Sequence, residues 1–238
     1  MNPIFKVQNL TVAYENINVL ENIGFEVFPK DYLCIVGENG AGKSTLVKTL
    51  LGFVKAKSGK IEFSGENPVR IGYLSQQTPG QRDFPATVNE VVMQGCIPSC
   101  KLLKFYGKAQ KEKAKEYMEY LGIYGLKNRS VTELSGGQRR RVFLARAILA
   151  AEKVIILDEP TSGLSLNAAD DFYKCIEKLN KEKNITVIMV THDIKNALKY
   201  SNKVLHLEKS SYFFGSTEDY IKHGMSENIL KKSDGEER

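Results

Sequence analysis

Three short apolar runs, each ending on a residue with chemistry to offer, limit what this chain can become. Tyr32-Leu33-Cys34-Ile35-Val36 runs into Gly37 and a glycine-rich loop. Val154-Ile155-Ile156-Leu157 runs into Asp158-Glu159, and Ile185-Thr186-Val187-Ile188-Met189-Val190 runs into Thr191-His192. Runs rich in β-branched residues and lacking alternation belong to strands buried on both faces, which predicts a parallel sheet covered by helices. In such a sheet the carboxyl ends of the strands share one edge, where ligands bind. Lys43, Asp158, Glu159 and His192 are therefore expected at one crevice, although they lie far apart in sequence.

The first strand end is the most specific. Gly37-Glu38-Asn39-Gly40-Ala41-Gly42-Lys43-Ser44 fits the phosphate-loop pattern G-x-x-x-x-G-K-[ST], with a strand before it and a helix from Thr45 to Leu51 after it. The glycines let backbone amides turn toward phosphate oxygens without side-chain clashes, making an anion nest at a helix amino end. Lys43 is expected on the β- and γ-phosphates of ATP and Ser44 on Mg²⁺. Asp158 is placed to hold Mg²⁺ or its water. Glu159 is then left to orient or deprotonate the water that attacks the γ-phosphate. His192 reads as a phosphate contact, its plainer alternative being a cap for a helix from Asp193 to Tyr200.

Between the loop and the acidic pair stands Leu134-Ser135-Gly136-Gly137-Gln138. Ser135-x-x-Gln138 has capping-box spacing, and the residues from Val142 to Leu149 read as the helix it would open. A cap alone does not explain Gly136-Gly137, because glycine in a first helical turn is less stable than alanine. Two glycines make sense where backbone approaches a ligand closely, as at a phosphate on a helix amino end. Ser135 and its glycines are expected to serve a nucleotide held by another molecule.

The remaining sequence sets the organisation. Phe5 to Val12 and Ile23 to Val27 alternate, predicting antiparallel strands with one exposed face, and Gly59 to Phe63 adds a short strand before a turn at Gly65–Pro68. From Thr87 to Ala150 the pattern is helical, with a capping box at Thr87-Val88-Asn89-Glu90 and an amphipathic segment from Lys108 to Leu121. The expected fold is α/β. It comprises a P-loop NTPase (RecA-like) core with a mainly parallel sheet, an N-terminal antiparallel β-subdomain and an inserted helical subdomain. The expected single domain spans 1–224, with core and β-subdomain over about 1–86 and 151–224 and the helical part over about 87–150. A polar, flexible tail is expected over 225–238.

Composition narrows the class. The chain has 238 residues, 42% of them hydrophobic and 26% charged, which suits a globular protein with a substantial core. No apolar run approaches the roughly 20 residues that span a bilayer. The start, Met1-Asn2-Pro3-Ile4-Phe5-Lys6, lacks a secretory pattern, which predicts a cytosolic protein. The net charge of +6 is read as a solvated surface, its densest stretches being Arg139-Arg140-Arg141 and Lys101–Lys115. Cys34 and Cys175 are expected in the core, while the C-x-x-x-C spacing of Cys96 and Cys100, without a nearby histidine, is not read as a metal site.

With these motifs in order, the chain resembles the ATP-binding subunits of ABC transporters from Phe5 to about Tyr220. The resemblance rests on GENGAGKST at 37–45, Tyr73-Leu74-Ser75-Gln76, LSGGQ at 134–138, VIILDEPTSGL at 154–164 and His192. It implies Gln76 as the glutamine that touches Mg²⁺ or water and senses the membrane partner, and Tyr14 as the aromatic that stacks on adenine. It implies Glu159 as catalytic base and His192 as the switch histidine. Asn39, Gly40, Ala41 and Thr45 join the loop residues around the phosphates. A head-to-tail dimer is implied, each ATP lying between one subunit's phosphate loop and the other's signature. A transmembrane permease and an extracytoplasmic substrate-binding protein are the further partners, with the chain on the cytoplasmic face of the membrane. One position departs. Ser162-Gly163-Leu164-Ser165 stands where the family has S/G-x-L-D, so the resemblance does not carry the aspartate's coupling role to position 165.

The segments Asp83-Phe84-Pro85-Ala86-Thr87-Val88 and Val91-Val92-Met93-Gln94-Gly95 are most similar to those of zinc and manganese importers, with iron-complex and cobalamin uptake as alternatives. A different class, a non-transport ATPase of the same family acting on nucleic acid or ribosomes, draws on the positive charge. It lacks the long heptads of chromosome-organising relatives and the two ATPase domains usual in translation factors, so direct nucleic-acid binding is not expected. A regulatory module without turnover is disfavoured by Glu159.

Overall fold

The computed structural model describes residues 2–64, 69–76, 85–97, 106–151, 153–209 and 211–224. The expected turn at Gly65–Pro68, the pair Asp83-Phe84, Cys100 and the tail 225–238 lie outside the described residues. In chain order the elements are β1 (Phe5–Tyr14), β2 (Ile17–Val27), β3 (Tyr32–Gly37), α1 (Lys43–Leu50), β4 (Ser58–Phe63) and β5 (Ile71–Leu74). Then come α2 (Val88–Gln94), α3 (Lys108–Tyr120), α4 (Gly136–Ala151), β6 (Val154–Asp158) and α5 (Leu166–Lys183). The chain continues with β7 (Thr186–Val190), α6 (Ile194–Tyr200), β8 (Lys203–Leu207), β9 (Tyr212–Ser216) and α7 (Thr217–Lys222). These elements form two compact units, 1–69 with 186–238, and 70–185.

The first unit holds two sheets. β1 lies between β2 and β4, antiparallel to both, as the N-terminal alternation predicts. Its buried residues Phe5, Val7, Leu10 and Val12 lose strict alternation around Asn9, whose φ of 47° accompanies a break in register between Val7 and Leu10. The second sheet runs β7-β3-β8-β9. β3 is parallel to β7 and to β8, and only β9 is antiparallel. Tyr32 to Val36 and Thr186 to Val190 are buried throughout, as continuous apolar runs require.

In the second unit β5 and β6 pair in parallel, Leu74 opposite Leu157, and α4 packs against β5. That approach depends on Gly72, where a Cβ would lie 2.1 Å from the Ala147 carbonyl oxygen. The capping box at Thr87 and Glu90 is present in both directions and opens α2. Phe172, Tyr173, Ile176 and Leu179 form the buried face of α5. Cys34 is fully buried, but Cys175 is only half-buried, so the expectation of a core cysteine there is corrected: it sits toward the margin of the face that Phe172 and Ile176 bury. No described helix is long and apolar enough to cross a membrane.

Candidate functional site

In the first unit, β3 delivers its glycine-rich loop directly into α1. Gly42 caps that helix in the left-handed region at φ 91°, and no side chain caps the first turn. The leading amides of a helix lack intrahelical partners, so this turn offers donors to an anion. A Cβ on Gly42 would lie 2.6 Å from Leu20 Cδ2 and 3.0 Å from the Val19 carbonyl oxygen, so β2 backs the loop closely. Lys43 is buried, and its Nζ donates to the carbonyl oxygens of Gly37 and Glu38, both at 2.8 Å. Its ammonium is thereby held against the loop it serves. Gly37, Asn39 and Gly40 lie in the loop, Ala41 and Thr45 are buried, and the Ser44 side chain is exposed at the helix start. The uncapped turn, the ammonium and the hydroxyl fit a polyphosphate with a bound Mg²⁺.

Two further predicted residues belong to this unit. His192 follows β7, whose Ile188 to Val190 pair with Leu33 to Ile35 of β3, so the histidine and the glycine loop leave neighbouring parallel strands at the same end. His192 is not the cap of α6. Asp193 takes that role, its Oδ1 accepting from the Asn196 amide at 3.1 Å. Tyr14 ends β1 at the hairpin and is 46% exposed, leaving an aromatic face open to solvent.

The second unit gathers the acidic pair and Gln76. The β5–β6 register carries past the ladder, so Gln76 comes level with Glu159 and its Nε2 donates to Glu159 Oε2 at 2.9 Å. Tyr73, on the same strand, donates its hydroxyl to Asp158 Oδ2 at 3.1 Å. Burial first, then the Asp158 charge, push the Tyr73 phenol well above its ordinary pKa, so it stays a protonated donor. Glu159 has φ 45°, a left-handed conformation that a side-chain-bearing residue adopts at some cost. The chain then turns, the Ser162 amide donating to the Glu159 carbonyl at 3.2 Å.

The signature segment is a realised capping box. The Gln138 amide donates to Ser135 Oγ at 3.3 Å, and the Ser135 amide donates to Gln138 Oε1 at 3.1 Å. Gly136 has a duty within the chain as well, since a Cβ there would meet Leu164 Cδ2 at 3.0 Å. The three arginines that follow are not an open basic patch. Arg139 donates to the carbonyls of Val131, Thr132 and Leu134, Arg140 Nη2 to that of Ser162 at 3.0 Å, and Arg141 to that of Leu121.

Sequence reasoning missed Tyr73 and Arg140 as site-linked residues. Tyr73 precedes Gln76 by three residues on a strand whose register with β6 sequence alone does not reveal. Arg140 was legible in principle, since it shares a helical face with Leu144 and Ala147, four and seven positions on.

Comparison with known proteins agrees with this architecture. Residues 20–162 match the model of the ABC transporter family. The chain is 35% identical over 238 residues to the zinc uptake system ATP-binding protein ZurA of Listeria innocua, covering 97% of this chain and 92% of ZurA. It is 38% identical over 234 residues to the manganese transport system ATP-binding protein MntB of Bacillus subtilis, covering 97% of this chain and 92% of MntB. Among solved structures it is similar to cbiO1 of Clostridium perfringens, part of the ABC transporter complex cbiONQ. There the TM-score is 0.82 at 28% identity, with 98% of this chain and 94% of cbiO1 covered. A matched family model over most of the chain, near-complete relatives and the loop, acidic pair and signature together have one reading: the chain belongs to the ABC transporter ATP-binding proteins, the ATPase subunits that drive transport in complex with a permease.

Proposed function

We propose that this ATPase powers import of a divalent metal ion, zinc or manganese, through its permease from the cytoplasmic face of the membrane. An extracytoplasmic binding protein would deliver the cargo. Likeness to ZurA and MntB over nearly whole chains supports that cargo class. Two copies pair head to tail, each ATP held by Gly37, Asn39, Gly40, Ala41, Gly42, Lys43, Ser44 and Thr45 of one. Ser135, Gly136, Gly137 and Gln138 of the other contact the γ-phosphate, and Tyr14 stacks on adenine.

Ser44, Asp158 and Gln76 are the residues that would hold Mg²⁺, and the ion would supply charge neutralisation at the phosphates. Lys43 balances phosphate charge with its ammonium. Glu159 accepts the proton of the attacking water, and His192 contacts the γ-phosphate. The contact that carries this reading is Gln76 Nε2 to Glu159 Oε2 at 2.9 Å, which orients the Glu159 carboxylate as an acceptor.

The test is Glu159→Gln in the complex purified from membranes. The amide cannot take the proton, so turnover should fall by roughly a hundredfold or more and ATP should lock the chain as a dimer. A variant that hydrolyses ATP at the parent rate removes Glu159 as base. Vesicles carrying the parent complex should accumulate radioactive zinc or manganese only with ATP, and an indifferent response to both metals rejects the cargo.

A further inference from the structure

We propose that Arg140 is a positioning residue that couples the signature turn to Glu159 of the same chain, and so links the two ATP sites of the dimer. The inference rests on the proposed reading of Ser135–Gln138 as a γ-phosphate contact in trans and of Glu159 as the base in cis. Arg140 is 2% exposed and lies on α4 five residues after Ser135. Its Nη2 donates to the Ser162 carbonyl at 3.0 Å, and the Ser162 amide in turn donates to the Glu159 carbonyl at 3.2 Å. One residue, Ser162, therefore stands between the guanidinium and the Glu159 backbone.

A second contact runs beside the first. A Cβ on Gly136 would lie 3.0 Å from Leu164 Cδ2, so the first turn of α4 runs close beside the same loop that Arg140 holds. Leu164 is tied back through its amide to the Thr161 carbonyl at 3.1 Å. Arg139 fixes the carbonyls of 131, 132 and 134 ahead of the signature, so α4 and its lead-in move as one piece. A guanidinium stays charged at every accessible pH and presents a planar fork, which suits a buried strut better than an ammonium on a flexible stem. When the partner's phosphate draws on Ser135, α4 shifts and the loop after Glu159 follows. Glu159 sits at φ 45°, where a small backbone change re-aims its carboxylate. This route does not need an aspartate at position 165, where this chain has Ser165.

The experiment uses the membrane-purified transporter. Arg140→Met keeps bulk and removes the donors. Leu164→Ala removes the parallel contact from a half-buried loop side chain, and so tests the coupling without a buried charge. Because this chain has no tryptophan, the difference in emission between transporters with and without Leu166→Trp, at a side chain 89% exposed, reports on the loop. We expect Arg140→Met to lower kcat by roughly tenfold and bring the Hill coefficient for ATP toward unity, with KM within about twofold of the parent. The thermal midpoint should stay within about 4 °C, and Arg140→Lys should restore part of the rate.

With Glu159→Gln present, ATP should shift the tryptophan emission in the Arg140 protein and leave it unmoved in Arg140→Met. Parent-like cooperativity in Arg140→Met overturns the proposal. So does a loss of rate that merely follows a lower midpoint and a raised KM. Should Arg140→Met not fold, an unchanged Hill coefficient in Leu164→Ala overturns it instead. A Glu159→Gln transporter that turns over normally points to failure of the underlying reading of the base, whatever Arg140 does.

Discussion

Two adjacent carboxylates with different partners divide the acidic strand end. Asp158 receives a phenol from Tyr73 on β5 and Glu159 receives an amide from Gln76 just past it, so each is held by its own donor. Tyr73→Phe deletes one hydroxyl and leaves the ring. A hydrogen bond to a charged acceptor contributes about 1.5–3 kcal/mol when both partners are ordered, and part-burial here argues for the lower end. The expected result is a rise of roughly fivefold in the Mg²⁺ needed for half-maximal turnover, because Asp158 is no longer oriented. The thermal midpoint should drop by about 3–6 °C, read by calorimetry. An unchanged Mg²⁺ response would leave Tyr73 as packing alone. Asp158 and Glu159 were legible because they follow a recognisable strand end, whereas Gln76 came from the family resemblance of Tyr73-Leu74-Ser75-Gln76. Tyr73 escaped because its role comes from inter-strand register, which is a property of pairing and is not written in either strand by itself.

Packing of α4 on β5 shows where elements were legible and where contacts were not. The apolar runs of β3, β6 and β7 announced themselves by composition, and the capping box of α2 by spacing, since both signals are local. The close approach at Gly72 is non-local, so nothing in the neighbouring sequence marks it. There a Cβ would sit 2.1 Å from the Ala147 oxygen and 2.8 Å from its carbonyl carbon, with backbone on the far side that cannot swing away. Gly72→Ala should therefore push α4 off β5, at a cost of about 3 kcal/mol or more for an overpacked core. That corresponds to a thermal midpoint lower by roughly 6–12 °C, measured by circular dichroism. Since α4 begins at the signature, ATPase activity should fall more than the midpoint alone implies. A variant melting with the parent would mean the helix stands further from the strand.

The charge of the whole molecule and its response to pH have one explanation, which is where the charged groups are placed. The excess of +6 is spread among lysines, some of them paired with glutamate four residues away, as Lys108 with Glu112, Lys115 with Glu119 and Lys181 with Glu177. The densest run, Arg139-Arg140-Arg141, is committed to backbone carbonyls and does not form a polyanion-binding surface. The pH dependence of folding instead has a contributor at His206. This residue is buried on β8 opposite Val36, with Nδ1 3.2 Å from the Tyr220 hydroxyl. Burial is the main cause that lowers its pKa below 6.5, and Lys43 adds to it, while Glu208 and Glu38 oppose it. The unfolded chain therefore takes up a proton that the folded chain refuses. This residue's contribution is fully retained above 6.5 and is lost as pH falls from 6.5 toward the lower folded value. One group contributes a slope of at most about 1.4 kcal/mol per pH unit. Urea midpoints of the full chain at about pH 7.5 and about pH 5.5 should fall apart more in the parent than in His206→Gln, which cannot titrate. Equal separation in the two proteins would assign the acid sensitivity to other groups. The site shares in this outcome, because β8 flanks the strand that ends in the phosphate loop, with Leu207 opposite Gly37. Acid that loosens His206 should therefore weaken ATP binding over the same interval, and His206→Gln should blunt that loss.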